Sequence, residues 1–424
     1  MEMRKGYKQT DVGVIPNDWK VVSLGEVFSF SGGYSTSRDQ LSNDGFCYLH
    51  YGDIHKSTKT YIDVKREYSD IPKLNISIRM VPQKSILDDG DVVFVDASED
   101  DEGASRHIVV RNPECISYIS GLHTIVSKSK DESLNKNYRR YCFQTSDVKR
   151  QFKYFAVGTK VTGISKTNIA KIQIPLPPKV AEQERIATAL SHTDALITSL
   201  EKLIAKKRNI KQGAMQQLLT GKKRLPGFRG KWEVKNLGDI AVVKDGTHQT
   251  PKYVNSGKPF YSVESVTNND FTNTKFISEE EHAFLTKNYR IEKNDIIMTR
   301  IGSIGDCKYI DWDADASFYV SLALLKIKKE YSARFISHYS NSAYFKKEVE
   351  LNSLTTAIPQ KINLGQISKI KLNIPQLLEE QSAIAQVLSD MDAAIESLER
   401  KLEKYKLVKQ GMMQELLTGK TRLV

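Results

Sequence analysis

The sequence predicts an α+β protein made of two copies of one unit, each a globular mixed domain followed by one long helix. Three observations carry that prediction. KQGMMQELLTGKTRL at 409–423 matches KQGAMQQLLTGKKRL at 211–225 at 12 of 15 positions, 198 residues apart. Short alternating apolar runs recur in the first part of each copy, as half-buried strands require. The end of each copy carries apolar residues in steps of four and three, the spacing of a coiled-coil seam. Self-similarity is sought before any fold is assigned, and a duplicated unit can fold about a pseudo-two-fold axis as a homodimer would.

The copy extends beyond its best-kept segment. EQERIATAL (182–190) faces EQSAIAQVL (380–388) with five of nine positions identical, and IAKIQIPLP (169–177) faces ISKIKLNIP (367–375). WKVVSLGEV (19–27) faces WEVKNLGDI (232–240) at a spacing of 213, pairing Trp19 with Trp232 and Gly25 with Gly238. GDVVF (90–94) faces NDIIM (294–298) at 204, so the first copy carries about fifteen extra residues in its middle. The ends of the unit are kept and the middle is not.

With 424 residues and 40 % hydrophobic content, the chain is long enough for two to three domains with real cores. Its 63 Lys and Arg against 51 Asp and Glu give a net charge of +12, which points to a polyanion such as nucleic acid or simply to a basic soluble protein. Cys47, Cys115, Cys142 and Cys307 form no C-x-x-C, which argues against a disulfide framework or zinc site and suits a reducing cytosol. No leading signal segment and no apolar run of about 20 residues is present, so a cytoplasmic protein without a membrane partner is expected.

Within the first copy DVVFVDA (91–97) and YISGLHTIVS (118–127) read as strands; FYVSLALLKIK (318–328) does so in the second. NKNYRRYCFQTSDVKRQFKYF (135–155) and YSARFISHYSNSAYFKKEVE (331–350) read as helical. The long helices open after Pro177–Pro178 and Pro375. The seam in the second runs Ile384, Leu388, Met391, Ile395, Leu398, Leu402, Tyr405, Lys409, Met412, Leu416; in the first, Ile186, Leu190, Thr193, Ile197, Leu200, Ile204, Lys207, Lys211, Ala214, Leu218. A 3.5-residue repeat kept over four heptads predicts a coiled coil rather than an ordinary amphipathic helix on a core. Each helix should run about 38 residues, roughly 57 Å. The economical partner for each is the other, and a dyad between the units makes them antiparallel. A fused, diverged dimer of this kind suits a reader of two separated DNA half-sites. Gly213 and Gly411 interrupt both helices at a cost of about 1 kcal/mol each, and suggest a close helix approach.

TDVGVIPNDWKVVSLGEV, IQIPLPPKVAEQERIATAL and LLTGKKRLPGFRGKWEVKNLGDI resemble the specificity subunit of Type I restriction-modification enzymes. The resemblance covers essentially the whole chain, and the helix-start and helix-end motifs occur twice in order. It implies target-recognition domains at 1–177 and 223–375 and conserved coiled-coil helices at 178–222 and 376–424. It implies that each recognition domain reads one half of an asymmetric, interrupted DNA target while the coiled coil sets the gap. It further implies a non-catalytic chain that docks two modification subunits, which methylate adenine with S-adenosylmethionine, and two restriction subunits, which add ATP-driven translocation and cleavage. S-adenosylmethionine, ATP and Mg would sit on those partners, and this chain would hold no cofactor or metal.

The residues agree with a non-enzymatic chain. N-P-P-[FYW], D-P-P-[FYW] and F-x-G-x-G motifs are absent from the sequence. Gly419-Lys420-Thr421 imitates the tail of a P-loop, but Gln414 stands where a glycine is needed; it reads better as a helix stop. The rivals are a coiled-coil adaptor that binds protein only and a self-sufficient DNA-modifying enzyme, the latter disfavoured by the missing motifs.

DNA contacts should come from Lys, Arg, Asn, Gln, Ser and Thr on loops. One loop pair occupies the same place in both copies: Tyr34, Ser35, Thr36 and Arg38 facing Thr247, His248, Gln249 and Thr250, with Lys252 just beyond. A second holds Arg106 against Arg300 and Ser303. A third holds Lys160 and Thr162 against Gln360 and Lys361. Each is equally readable as a solvated turn. The stretch 202–224, with eight Lys or Arg and no acid, reads as a solvated helix face before a phosphate track or a partner surface.

Overall fold

The computed structural model describes residues 5–57, 59–98, 105–158, 162–354 and 356–424. The chain forms two compact units, Met1–Leu200 with Lys401–Val424, and Glu201–Arg400. The long helices, here α1 (Val180–Leu218) and α2 (Leu378–Leu416), are 39 residues each, and both units take a share of both. All four cysteines are free.

Both units use one sheet plan. In the first, a five-stranded sheet runs in the order Phe28–Gly32, Thr124–Ser129, Val92–Val95, His107–Arg111, Tyr61–Asp63. In the second, the order is Ala241–Asp245, Leu322–Ile327, Ile296–Thr299, Cys307–Tyr309. The extra edge strand Tyr61–Asp63, parallel to its neighbour, lies within the longer middle of the first copy. A smaller sheet follows in each: Tyr118–Ser120, Phe46–Leu49, Lys73–Leu74, Leu41–Ser42, and its counterpart Ser317–Phe318, Lys258–Tyr261, Lys275–Ile277, Tyr253–Val254. Val92–Val95 and Ile296–Thr299 are wholly buried; a strand covered on both faces loses its alternation and reads as a continuous apolar run. Two runs read as single strands, 118–127 and 318–328, are each broken by a turn. The 135–155 stretch is helical only over Ser146–Phe155, preceded by one 3₁₀ turn.

The repeated ends hold each domain to its helices. Lys20–Ser23 pairs with Gln173–Leu176, and Trp232–Asn236 with Lys371–Pro375, so each domain closes on itself just before its long helix. Gly25 N–H donates to Ala170 O at 2.8 Å and Gly238 N–H to Ser368 O at 2.9 Å. A Cβ at either glycine would lie 3.0 Å from that neighbour, which is why glycine stands at both places. Gln183 and Gln381 are fully buried. Their amides donate to Pro177 O (2.9 Å) and Pro375 O (2.8 Å), and their carbonyls accept from Asn135 N (2.8 Å) and Ser332 N (2.9 Å). Each buried amide thus ties its own helix start to the strand before it and to a loop of the domain, with its donor and acceptor both used.

The partner of each E-Q pair comes from the far end of the other helix. In the first unit Leu416 at the end of α2 and Leu417 just after it join Ile186 and Leu190 of α1 in one core. Arg422 donates to Glu182, 1 % exposed, and to both oxygens of Asp18 (2.8 and 2.9 Å), over the Trp19 ring. In the second unit Leu218 and Leu219 pack with Ile384 and Leu388. Arg224 makes a bidentate bond to Glu380, 0 % exposed, beside Trp232. The two LLTGK-x-RL segments thus build one device twice: a positive-φ glycine (Gly419 or Gly221), a tryptophan, and an arginine clamped on a buried carboxylate.

Those contacts make the two helices antiparallel within each unit: Lys409 of α2 meets Asp194 of α1 at 2.7 Å in the first, and Arg208 meets Glu399 at 2.6 Å in the second. The heptad line is a seam. Ile186, Leu190, Leu200, Ile204, Ile384, Leu388 and Ile395 are buried, and Ile197, Met391, Leu398, Leu402 and Tyr405 are half-buried. Lys207 is the one exposed member of the two lines. Within the basic stretch 202–224, Arg208, Lys211 and Arg224 are spent on Glu399, Asp392 and Glu380. The close approach expected at Gly213 and Gly411 is absent: a Cβ at either would meet nothing within 4 Å.

Candidate nucleic-acid interface

In each unit the described parts of the first two loops singled out by position meet at one turn, and the third joins the second. In the first unit that turn is Gly121–His123, with His123 at φ +57°. Tyr34 N–H donates to Ser120 O at 2.7 Å. The Tyr48 hydroxyl donates to Tyr34 O at 2.8 Å and accepts from Leu122 N–H at 3.2 Å. A Cβ on Gly33 would fall 1.7 Å from Gly121 O, so only glycine lets this loop seat. Asp96 N–H reaches His123 O at 3.2 Å, and Ser98 pairs with Thr162, whose hydroxyl donates to Ser98 O at 3.2 Å.

The second unit repeats this around Tyr319–Ser321. Thr247 N–H donates to Phe318 O at 3.1 Å, and Val320 N–H to Thr247 O at 2.9 Å. A Cβ on Gly246 would lie 2.5 Å from the Tyr319 carbonyl. Gly302 N–H donates to Gln360 O and Ile362 N–H to Arg300 O, each at 2.9 Å.

The exposed side chains on this frame differ between the units. The first presents Ser35 and Arg38, with Tyr34, Thr36 and Thr162 half-buried; the second presents His248, Gln249, Thr250, Lys252, Ser303, Gln360 and Lys361, with Thr247 half-buried. Lys160 lies outside the described residues. Two expected readers are turned inward. Arg300 is 8 % exposed and donates to Asp245 (2.7 Å), Val320 O (3.0 Å) and Ile362 O (3.3 Å); it braces the three loops from beneath and has no guanidinium face left for DNA. Arg106 is half-buried and donates to His55 O. Arg38 is exposed and paired with Asp53.

Sequence reasoning missed an aromatic cluster in the first unit. The Tyr51 ring lies 4.5 Å from His50 and 5.4 Å from His123, edge-on to the latter, and His55 Nε2 is 3.3 Å from Ala97 O. Burial, then the Arg38 charge, lowers the His50 pKa. In the second unit Tyr253, Phe260 and Tyr319 form a ladder at 6.0 and 6.2 Å. The signal that marked this place was Gly121 inside an otherwise alternating run, a turn signal. Ile358, 100 % exposed, lies in the third loop of the second unit.

Chemically the frame offers hydroxyl, amide, imidazole and ammonium groups at loop positions, the donor set that meets phosphate oxygens and base edges. His282 stands 3.0 Å from Ser317 Oγ and 3.0 Å from Asp315, a Ser–His–Asp line in which Ser317 is 3 % exposed. Among the described residues no His, Cys, Asp and Glu group could hold a metal, and no helix is long and apolar enough to cross a membrane.

A family model described as Type I restriction modification DNA specificity domain matches the chain twice, at residues 16–212 and 229–406. The putative type I restriction enzyme MjaX specificity subunit of Methanocaldococcus jannaschii is 26 % identical over 440 residues, covering 99 % of this chain and 97 % of that one. The MjaVIII specificity subunit of the same organism is 28 % identical over 302 residues, 67 % of this chain and 70 % of that one. Among solved structures, the S subunit of a Type I system from M. genitalium superimposes with a TM-score of 0.60 at 15 % identity, covering 98 % of each chain. A chain from a structure on complex assembly and conformational transition of the type I R-M system gives 0.52 at 17 % identity, covering 96 % of this chain and 99 % of that one.

Proposed function

The chain belongs to the Type I restriction-modification specificity-subunit family, a non-catalytic family, and we propose from that premise that each unit reads one half of an asymmetric, bipartite DNA target through its three loops. One observation carries the reading: the loops share a backbone frame, seated by Gly33 and Gly246 at equivalent turns, while their exposed side chains differ. Two readers evolved from one fold for different sequences need that combination, since phosphate contacts position a protein and base contacts specify. The net charge of +12 supplies the sequence-independent attraction.

In this reading α1 and α2 fix the gap between half-sites and carry the docking surface for two modification subunits. Adenine-N6 methylation with S-adenosylmethionine, and ATP- and Mg-dependent translocation and cleavage by two restriction subunits, belong to those partners. The test is modular exchange. Replacing residues 1–170 with those of another such subunit should change one half of the methylated sequence, read by mapping methylated adenines in a host genome. A change in both halves sinks the modular assignment. Adding or deleting one heptad in both helices should alter the gap; an unchanged gap removes the ruler role. Weak, salt-insensitive DNA binding by the assembled complex would instead indicate a protein-only adaptor.

A further inference from the structure

One strand position is treated differently in the two units. Tyr118 pairs in parallel with Cys47, and Ser317 in parallel with Phe260; Cys47 and Phe260 are equivalent at the 213 spacing. In the second unit the chain itself closes this place: the Ser317 hydroxyl meets His282, which is held by Asp315. In the first unit the Tyr118 side chain is 0 % exposed, and its hydroxyl has no hydrogen-bond partner among the described residues. It lines a cleft of about 680 Å³. Asp53 lines the same cleft; its Oδ2 is likewise buried without a hydrogen-bond partner among the described residues, while Oδ1 holds Arg38 of the first candidate DNA loop.

A buried phenol without a bond is costly and needs a reason. Burial, reinforced by the nearby Cys47, Asp53 and Glu67, keeps the Tyr118 phenol well above its usual range, so it stays protonated and can donate. The walls bring Asp53, Glu67 and Asp70 against Lys56. That excess of carboxylate excludes a phosphate and favours a ligand with N–H donors. Ile62 and Pro72 add apolar surface, and the volume falls within the roughly 300–1,000 Å³ of small-ligand sites.

We propose that this cleft takes an amino-bearing nucleobase turned out of the bound duplex, its exocyclic amine donating to Asp53 and a ring acceptor receiving the Tyr118 hydroxyl. The proposal rests on the DNA-reading assignment, and Arg38 on Asp53 links the cleft to that loop. Cytosine, adenine and guanine offer such an amine and thymine does not; a free nucleoside offers the same edge as a base of the duplex.

The experiment uses the full chain assembled with its modification subunits. Cytidine, adenosine, guanosine and thymidine are titrated by calorimetry, and 2-aminopurine is scanned through the half-site read by the first unit. The expected result is saturable binding of an amino-bearing nucleoside about tenfold tighter than thymidine, with a loss of about tenfold in Tyr118→Phe. One 2-aminopurine position should brighten on binding, as an unstacked base does. Tyr118→Phe should not lower the melting temperature, because no internal bond is lost. Ser42→Trp, a plug at the exposed mouth, should reproduce the loss. If both variants bind DNA like wild type and no nucleoside saturates, the cleft proposal falls and the DNA assignment stands. If wild type binds no DNA, both fall. If Tyr118→Phe loses only assembly with the modification subunits, a protein side chain fills the cleft and the proposal is overturned.

Discussion

Removing the Arg422 guanidinium should destabilise the first unit, although chain order assigns this residue to the second. Arg422 lies at the end of the second copy, yet its bonds run to Glu182, 240 residues away, and to Asp18. Arg422→Leu leaves the Glu182 carboxylate, 1 % exposed, buried without its cation. Stranding a buried charge costs about 3–5 kcal/mol. Because the Arg422 side chain itself keeps 25 % of its exposure, the loss should lie near the lower bound, about 3 kcal/mol. The Asp18 pair adds little: that carboxylate is 54 % exposed, and surface pairs contribute about 0–1 kcal/mol. The assay is denaturant unfolding followed by tryptophan fluorescence, with Trp19 reporting the first unit and Trp232 the second in backgrounds that keep one of them and replace Trp312 by Phe. The Trp19 transition should shift to lower denaturant while the Trp232 transition stays. Adding Glu182→Gln should recover much of the loss, since an amide strands no charge. A loss under about 1 kcal/mol, a shift confined to the Trp232 transition, or no recovery in the double variant would refute the clamp.

Gly213→Ala and Gly411→Ala should each stabilise the protein by about 1 kcal/mol, because an added Cβ meets open space; a lower unfolding midpoint would mean a close approach that the free chain hides. Burial holds the pKa of His107 and of His338 down to about 4. Each folded imidazole therefore stays neutral where the unfolded chain, with a pKa of about 6.5, takes up a proton. Stability is then full above about pH 6.5 and is lost toward pH 4, at up to about 1.4 kcal/mol per pH unit for each histidine; His107→Phe should flatten that slope in the first unit. Lys252→Ala should weaken DNA binding by the assembled complex about equally across sequences and lower the salt slope by about one. An unchanged slope places Lys252 off the phosphate backbone.

The loops show where sequence reasoning reached and where it stopped. Their corresponding places in the two copies singled out the three loop pairs, because a duplicated frame keeps its turns in order. It could not tell Arg300 from Lys361. Whether a guanidinium faces solvent depends on which carbonyls surround it, and Asp245, Val320 and Ile362 come from three separate segments. Nor could it find the Tyr51 cluster, whose members His50, His55 and His123 meet through a turn hidden inside an apolar run.

The sequence alone determined the duplication, the two long helices and the seam. Those are periodic facts: a 3.5-residue apolar repeat selects one helix face, and every seam position but Lys207 was covered when the chain folded. Tertiary structure alone decided what the best-copied segments are for. LLTGK-x-RL reads locally as a helix stop, and nothing within it says that its leucines enter the core containing the start of the other helix, or that its arginine closes on a buried glutamate there. Contacts between residues about 150 to 240 positions apart leave no local pattern. A charge pair in a core is legible only once both partners have lost their water.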